Sequence, residues 1–259
     1  MPIKKLSTYN LLIVFLTFGG TDQIRTGAQG VADPRLTAWL RFHKSSFFKN
    51  NIILLYFIHC VNKDDIMKWG EVMGKLYIVR HGKTEWNDLN IAQGSKDIPL
   101  NEEGIKTATQ LSKEIDLSNI DFCISSPMQR AKQTAIILCD NRIPIIYDER
   151  LKERSFGDYE GKTMSMDIVE KQWDYNLNTT DNNIESIKEC LDRANTFLND
   201  IINKYSDKNI LIVSHGCLIK CLHYCINGYN ENTDFFDFFP KNATLYEYEM
   251  PDIKKLAKC

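Results

Sequence analysis

The sequence predicts an α/β fold: a three-layer sandwich with a mostly parallel sheet, helices on both faces and a small cap region. Three observations carry that expectation. Short aliphatic runs such as Leu76-Tyr77-Ile78-Val79 and Ile210-Leu211-Ile212-Val213 lack polar alternation and suit strands buried on both faces. Such runs alternate with amphipathic stretches of helical period, the signature of βαβ units. Both aliphatic runs also end alike, in Arg80-His81-Gly82 and Ser214-His215-Gly216, at what would be the C-terminal edge of a sheet.

The elements follow in order. A strand over 75–80 opens the fold. A helix over 101–115 comes next, because Asn101 stands three residues before Gly104 as an N-cap and Ile105, Ala108 and Leu111 recur at helical spacing. Phe122-Cys123-Ile124 mark a strand over 121–125. Ser126 as N-cap and Pro127 at the first helical position then start a helix over 127–139, which sets Arg130 near its positive end. A strand over 143–147, a helical and loop region over 162–183 and a long helix over 184–205 follow. Strand 209–214, helix 216–227 and strand 243–249 complete the order. The polar, asparagine-rich 162–183 stretch reads as a cap over the strand edge.

That edge collects residues suited to anion chemistry. The chain has five histidines, and only His81 and His215 share the strand-end setting; a lone histidine of this kind is often a turn residue, but a matched pair points to a site. Arg80 offers a planar fork of donors for phosphate oxygens, and Asn87 can add an amide donor. Gly82 lets the backbone approach a bound anion. Arg130 would lie beside the free N–H groups of a helix start, although an arginine there is also a common surface residue. Glu153, just before the Phe156-Gly157 turn, is a candidate general acid for a departing alkoxide.

Taken together these residues resemble the histidine phosphatase superfamily, which includes the cofactor-dependent phosphoglycerate mutases. The resemblance spans about Lys75 to Glu249. It rests on Arg80-His81-Gly82, the stretch from Gln93-Gly94 to Gly104, Ser126-Pro127 with Arg130, Glu153 with Phe156-Gly157 and Glu160-Gly161, and Ser214-His215-Gly216, all in family order. It implies that His81 is the nucleophile taking the phosphoryl group. It implies also that Arg80, Arg130, His215 and Asn87 line the pocket, with Gln93, Gly94 and Gly216 beside the substrate. Glu153 then protonates the leaving oxygen and activates the hydrolytic water, with neither metal nor cofactor required.

Within the family the pattern Gln93-Gly94-x-x-Asp97-x-Pro99-Leu100 and Phe156-Gly157-Asp158-Tyr159-Glu160-Gly161 resembles the small bacterial phosphatases of the alpha-ribazole phosphatase type. Glycolytic mutases usually carry Thr-Gly-Trp where this chain has Gln93-Gly94-Ser95 and Tyr-Gly where it has Phe156-Gly157. The sequence shows no spare arginine cluster for a mutase substrate's carboxylate. Two departures concern the substrate rather than the chemistry: Ile91 replaces a frequent arginine, and Ile184-Glu185-Ser186 lacks the usual glycine. The leading expectation is a phosphomonoester hydrolase acting on a small phosphorylated metabolite. The alternatives are a phosphoglycerate mutase or, against the retained His81, Arg80, Arg130, Glu153 and His215, a noncatalytic phospholigand-binding protein.

Composition fits a globular enzyme, with 43% hydrophobic and 25% charged residues, and the net charge of −2 gives no reason to expect nucleic acid or an anionic membrane as partner. The expected partner is a small phosphate ester; the oligomeric state is left open. Of the eight cysteines seven lie beyond residue 72, and such an odd set in aliphatic segments fits a reducing cytoplasm rather than a disulfide framework. Cys217, Cys221 and Cys225 share one helix face and are read as core packing, and the Phe235 to Phe239 run as a core or cap contact.

The first 72 residues stand apart. Leu11 to Phe18, behind Lys4-Lys5, suggests a signal peptide superficially, but it lacks a small-residue cleavage site and, like Ile52 to Cys60, is too short to span a bilayer. Met73-Gly74-Lys75 leads straight into the first strand. Trp69 to Val72 could be encoded by a purine-rich, ribosome-binding type of stretch. Met73 is therefore expected to be the biological start, with 1–72 an extension outside the fold and 73–259 the phosphatase domain. A membrane-targeted precursor is the competing reading.

Overall fold

The computed structural model describes residues 10–17, 52–59 and 73–252, and the chain divides into two units, Met1–Glu71 and Val72–Cys259. In the first unit the two apolar runs become strands. β1 (Asn10–Thr17) pairs antiparallel with β2 (Ile52–His59), Asn10 opposite His59 and Thr17 opposite Ile52. Neither run can satisfy its backbone N–H and C=O groups alone, and each supplies the other's ladder. Phe18 and Cys60, the ends of the runs as read from the sequence, lie outside the described residues.

The second unit holds β3 (Lys75–Arg80), β4 (Phe122–Ser125), β5 (Ile145–Tyr147), β6 (Ile210–Ser214) and β7 (Leu245–Glu249), in the spatial order β5-β4-β6-β3-β7. All pairs are parallel except β7, which runs antiparallel to β3 at one edge. Among the described residues six α-helices accompany them: α1 (Glu85–Asp88), α2 (Glu102–Glu114), α3 (Gln129–Cys139), α4 (Met166–Trp173), α5 (Ile187–Tyr205) and α6 (Gly216–Asn227). Alternate strand residues face opposite layers. Leu76, Ile78, Ile210 and Ile212 pack with Leu191, Phe197, Leu198 of α5 and Leu218, Cys221, Cys225 of α6. Val79, Cys123, Leu211 and Val213 pack with Leu111 of α2 and Ala131, Ala135, Leu138 of α3. The result is the expected three-layer sandwich, with β6 buried along its whole length at the centre.

Several local expectations are corrected. The helix expected from Ser126 and Pro127 begins two residues later, with Met128 as N-cap. Ser126 Oγ lies 2.8 Å from His215 Nε2 and accepts Met128 N–H at 3.3 Å, while Asp97 Oδ1 accepts the N–H of Gln129, the first helical residue, at 2.6 Å. Asn101 does cap α2 through Gly104 N–H, but Gly104, Ala108 and Leu111 form its buried stripe while Ile105 faces solvent. The short helix α1 is absent from the sequence reading. It is held by a capping box in which Thr84 Oγ1 accepts Asn87 N–H and Asn87 Oδ1 accepts Thr84 N–H. Gly82 owes its identity to chain crossing: a Cβ there would lie 2.5 Å from the carbonyl oxygen of Gly104.

Candidate active site

Register alone brings the two histidines together. β3 and β6 are adjacent and parallel, Arg80 pairs with Ser214, and the next residue on each strand is histidine. His81 N–H extends the ladder by donating to Ser214 C=O at 3.0 Å. The two rings lie 5.1 Å apart, both buried at the C-terminal edge. β4 adds Ser126 to the same edge, where its N–H donates to Val213 C=O.

The ring of His81 is fixed in one tautomer. Its Nδ1 lies 2.6 Å from the carbonyl oxygen of Gly82; a carbonyl can only accept, so Nδ1 carries the proton and Nε2 keeps its lone pair. Burial, and then the cations Arg80 and Arg130, hold the imidazole well below its ordinary pKa of 6.5. A neutral, oriented, nucleophilic nitrogen results.

His215 takes the opposite tautomer. Arg130 Nε donates to its Nδ1 at 3.0 Å, so the proton sits on Nε2, which donates to Ser126 Oγ at 2.8 Å. Burial, then Arg130, also depresses its pKa well below the usual value. Arg130 is itself fully buried, with Nη1 donating to Lys96 C=O at 2.7 Å and Nη2 to Gly94 C=O at 2.9 Å. Gly94 thus meets the site through its carbonyl. Its φ of +50° and the 2.2 Å that would separate an added Cβ from Glu160 Oε1 explain the glycine.

Arg80 donates through Nη1 to Pro240 C=O at 2.8 Å, lies 5.8 Å from the centre of the Phe239 ring, and leaves Nε buried without a partner. Gly216 lies against it, where a Cβ would stand 3.3 Å from Arg80 Cζ. Glu153 docks on the start of α6. Its Oε1 accepts from Arg154, Cys217 and Leu218 N–H groups at 2.9, 3.1 and 3.2 Å, while Oε2 has only a longer contact to Cys217 N–H at 3.3 Å. Gln93 is buried with Oε1 unpartnered. Asn87 spends its backbone N–H and Oδ1 on the α1 cap, which leaves the Nδ2 group as its donor.

Other residues escaped the sequence reading. The contacts of Glu160, which the sequence reading quoted only as part of a motif, tie the Gly94–Lys96 loop that holds Arg130 to the loop after Glu153, since it accepts Ser95 N–H and Oγ–H at 2.8 and 2.6 Å and Phe156 N–H at 3.2 Å. Arg154 and Lys220 are both buried. Lys220 had a signal, as the single charged residue of the otherwise uncharged helix Gly216–Asn227; Arg154 had none beyond its neighbour.

Comparison with known proteins decides the family. Residues 76–257 match the family described as the histidine phosphatase superfamily, branch 1. The chain belongs to the histidine phosphatase superfamily. This histidine phosphatase is 35% identical over 157 residues to the "Uncharacterized phosphatase PhoE" of Bacillus subtilis, covering 60% of this chain and 79% of that protein. It is 35% identical over 167 residues to the "Probable phosphoglycerate mutase GpmB" of Escherichia coli, covering 60% and 76%. Among solved structures it resembles a phosphoserine phosphatase from Entamoeba histolytica in complex with 3-phosphoglyceric acid, with TM-score 0.58, 28% identity, and 68% and 90% of the two chains covered. It also resembles the alpha-ribazole phosphatase of Shigella flexneri, with TM-score 0.57, 25% identity, and 67% and 89% covered. Among the described residues no helix is long and apolar enough to cross a membrane.

Proposed function

We propose that this enzyme hydrolyses phosphomonoesters of small metabolites through a phosphohistidine at His81. The observation that carries the reading is the fixed neutral tautomer of His81, whose Nε2 lone pair is left for phosphorus by the Nδ1–H bond to Gly82 C=O. Nε2 attacks the phosphorus, the P–N bond forms and the ester P–O bond breaks. Glu153, protonated on the less engaged Oε2, gives its proton to the departing alkoxide. Water then attacks the phosphohistidine, Glu153 takes a water proton, and the P–N bond breaks to release inorganic phosphate.

Arg80 and Arg130 stabilise the charge on the phosphoryl oxygens. His215, with both ring nitrogens engaged, acts by holding Arg130 and Ser126 in place. Asn87 Nδ2, Gln93 and the backbone at Gly94 and Gly216 frame the pocket. Residues 73–259 are the catalytic domain, residues 1–72 an extension outside it, and the cytoplasm the setting. Six cysteines of the described residues, all free thiols, support that setting. A small phosphate ester, not nucleic acid or a membrane, is the partner.

The mutase-named relative favours a second reading, in which the phosphoryl group returns to substrate rather than to water. One experiment separates the two. Phosphate release is assayed across sugar phosphates, nucleotides, glycerate phosphates, phosphoserine and alpha-ribazole phosphate, with 3-phosphoglycerate isomerisation assayed in parallel in the presence of 2,3-bisphosphoglycerate. Release from at least one ester, with ³²P from a ³²P-labelled ester trapped on His81, is expected. Isomerisation that outpaces release would make the enzyme a mutase.

A further inference from the structure

Two loops set the phosphoryl-binding cation and the general acid. Residues 93–97 carry the carbonyls that fix the guanidinium of Arg130, since Nη2 donates to Gly94 C=O at 2.9 Å and Nη1 to Lys96 C=O at 2.7 Å. Residues 153–157 carry Glu153, whose carboxylate is held by the N–H groups of Arg154 and of the α6 start. Neither stretch lies in a strand or an α-helix, so no ladder of its own holds it. The stretches approach each other through backbone bonds: Ala92 N–H donates to Lys162 C=O and Gly161 N–H to Ala92 C=O, both at 2.9 Å.

Glu160 stands where they meet, and one of its oxygens collects donors from both. Oε1 accepts Ser95 N–H at 2.8 Å and Ser95 Oγ–H at 2.6 Å from the first loop, then Phe156 N–H at 3.2 Å and Ser155 Oγ–H at 3.5 Å from the second. Ser95 is the residue between the two carbonyls that hold Arg130. Gly94 on its other side leaves room for this oxygen, which a Cβ there would meet. Ser155 and Phe156 follow Glu153 by two and three residues. The carboxylate also acts on Arg130 through its charge: burial lowers the pKa of that arginine, and Glu160 is among the carboxylates that oppose the shift. Charge-assisted bonds of this length are the strong ones. A reacting group misplaced by about 1 Å costs about 10²-fold in rate, so a tie between these two loops bears directly on turnover.

We propose that Glu160 is a positioning residue for the reaction: one carboxylate oxygen latches the loop that orients Arg130 to the loop that carries Glu153. The transition-state cation and the general acid are thereby held in a fixed relation to each other and to the phosphorus between them. Glu160 acts through Ser95 on the first and through Phe156 on the second, and contributes no proton of its own. This role rests on the phosphatase reading above and adds a residue to its machinery.

The test compares burst rates with p-nitrophenyl phosphate and glycerol 3-phosphate, and inhibition by orthovanadate, which mimics the phosphoryl group in transfer. Burst amplitude counts the folded sites, so the rate itself is free of partial misfolding. Glu160→Ala should slow the aryl burst about 10- to 100-fold through Arg130. It should slow the glycerol 3-phosphate burst about threefold or more beyond that, because the acid is loosened as well. The inhibition constant for orthovanadate should rise by a factor comparable with the aryl slowing. Glu160→Gln keeps an oxygen for the same donors and should stay within about tenfold of wild type. Ser95→Ala removes the 2.6 Å donor; it should slow both bursts, and combined with Glu160→Ala it should add nothing, as expected of two groups that act as one. Wild-type burst rates and orthovanadate inhibition in Glu160→Ala, with only the amplitude or Tm reduced, would overturn the latch and leave Glu160 as packing. Additive effects of the two substitutions would overturn it too. So would a Glu160→Gln variant slowed on glycerol 3-phosphate as much as Glu160→Ala with the aryl burst spared, since Glu160 would then be the acid. If Glu160→Ala does not fold, Ser95→Ala decides by the same rates, unchanged values overturning the latch. No release by the wild type from any ester, p-nitrophenyl phosphate included, would sink the phosphatase reading instead. The Kd of orthovanadate would then decide the latch alone, equal values in wild type and Ser95→Ala overturning it.

Discussion

Arg130 and His215 form one unit: the Nε–H of the arginine is bound by the Nδ1 lone pair of the histidine at 3.0 Å, with both side chains fully buried. That bond fixes the His215 tautomer and, with the carbonyls of Gly94 and Lys96, fixes the plane of the guanidinium. A lysine has no equivalent of Nε–H and no fork. Arg130→Lys therefore leaves His215 Nδ1 and at least one carbonyl unpaired in the interior. A stability loss of about 1–3 kcal/mol in urea unfolding is expected, together with a fall in kcat/KM of about 10²-fold or more from the misplaced charge. Retention of most activity would show that charge alone, without this orientation, serves the pocket.

His81→Ala is expected to abolish phosphate release and labelling of the enzyme. It removes the lone pair at Nε2, and the residue lies past the end of β3 rather than within the hydrophobic layers. The near-UV circular dichroism should stay native-like. A folded variant with near-normal release would exclude the phosphohistidine route.

Glu153 can be tested through the leaving group. General acid assistance contributes about 10²–10⁴-fold and matters most for a poorly stabilised alkoxide. Glu153→Gln should slow the burst phase with glycerol 3-phosphate far more than with p-nitrophenyl phosphate, whose phenolate leaves with little protonation. The amide keeps an oxygen for the N–H groups of Arg154, Cys217 and Leu218, so α6 keeps its cap. If both bursts slow equally, the acid is another residue, and Glu149 or Glu160 is tested next.

The two histidines also predict how stability varies with pH. Both are depressed in the folded state below 6.5, chiefly by burial. On acidification the unfolded chain takes up these protons first, so stability is full above about pH 6.5 and falls as pH drops from there toward the folded-state values. Each histidine contributes a slope of up to about 1.4 kcal/mol per pH unit in that window. His81→Asn and His215→Asn should each flatten the dependence of unfolding free energy between pH 5 and 6.5. His223, lowered by burial as well, is common to all variants and sets the background. Slopes unchanged from wild type would mean that the two rings are charged in the fold.

Much of this protein was legible in its sequence because the signals are local. Aliphatic runs, the Asn101 cap and the order of Arg80-His81-Gly82 and Ser214-His215-Gly216 depend on neighbours a few residues away, and they fixed the element order, the sheet edge and the candidate nucleophile. Other features depend on partners far along the chain. Ser126 reads as an N-cap, but its Oγ is shared between Met128 N–H and His215, 89 residues later. His215 reads as a pocket residue, and only the fold shows that Arg130 and Ser126 engage both its nitrogens; the pairing of β1 with β2 needs two runs with 34 residues between them. Arg154 and Lys220 show the limit most clearly. A cation's meaning depends on what lies within a few ångströms, and only the fold shows that Trp173, Phe236 and Phe239 surround these two while, among the described residues, no carboxylate forms an ion pair with them.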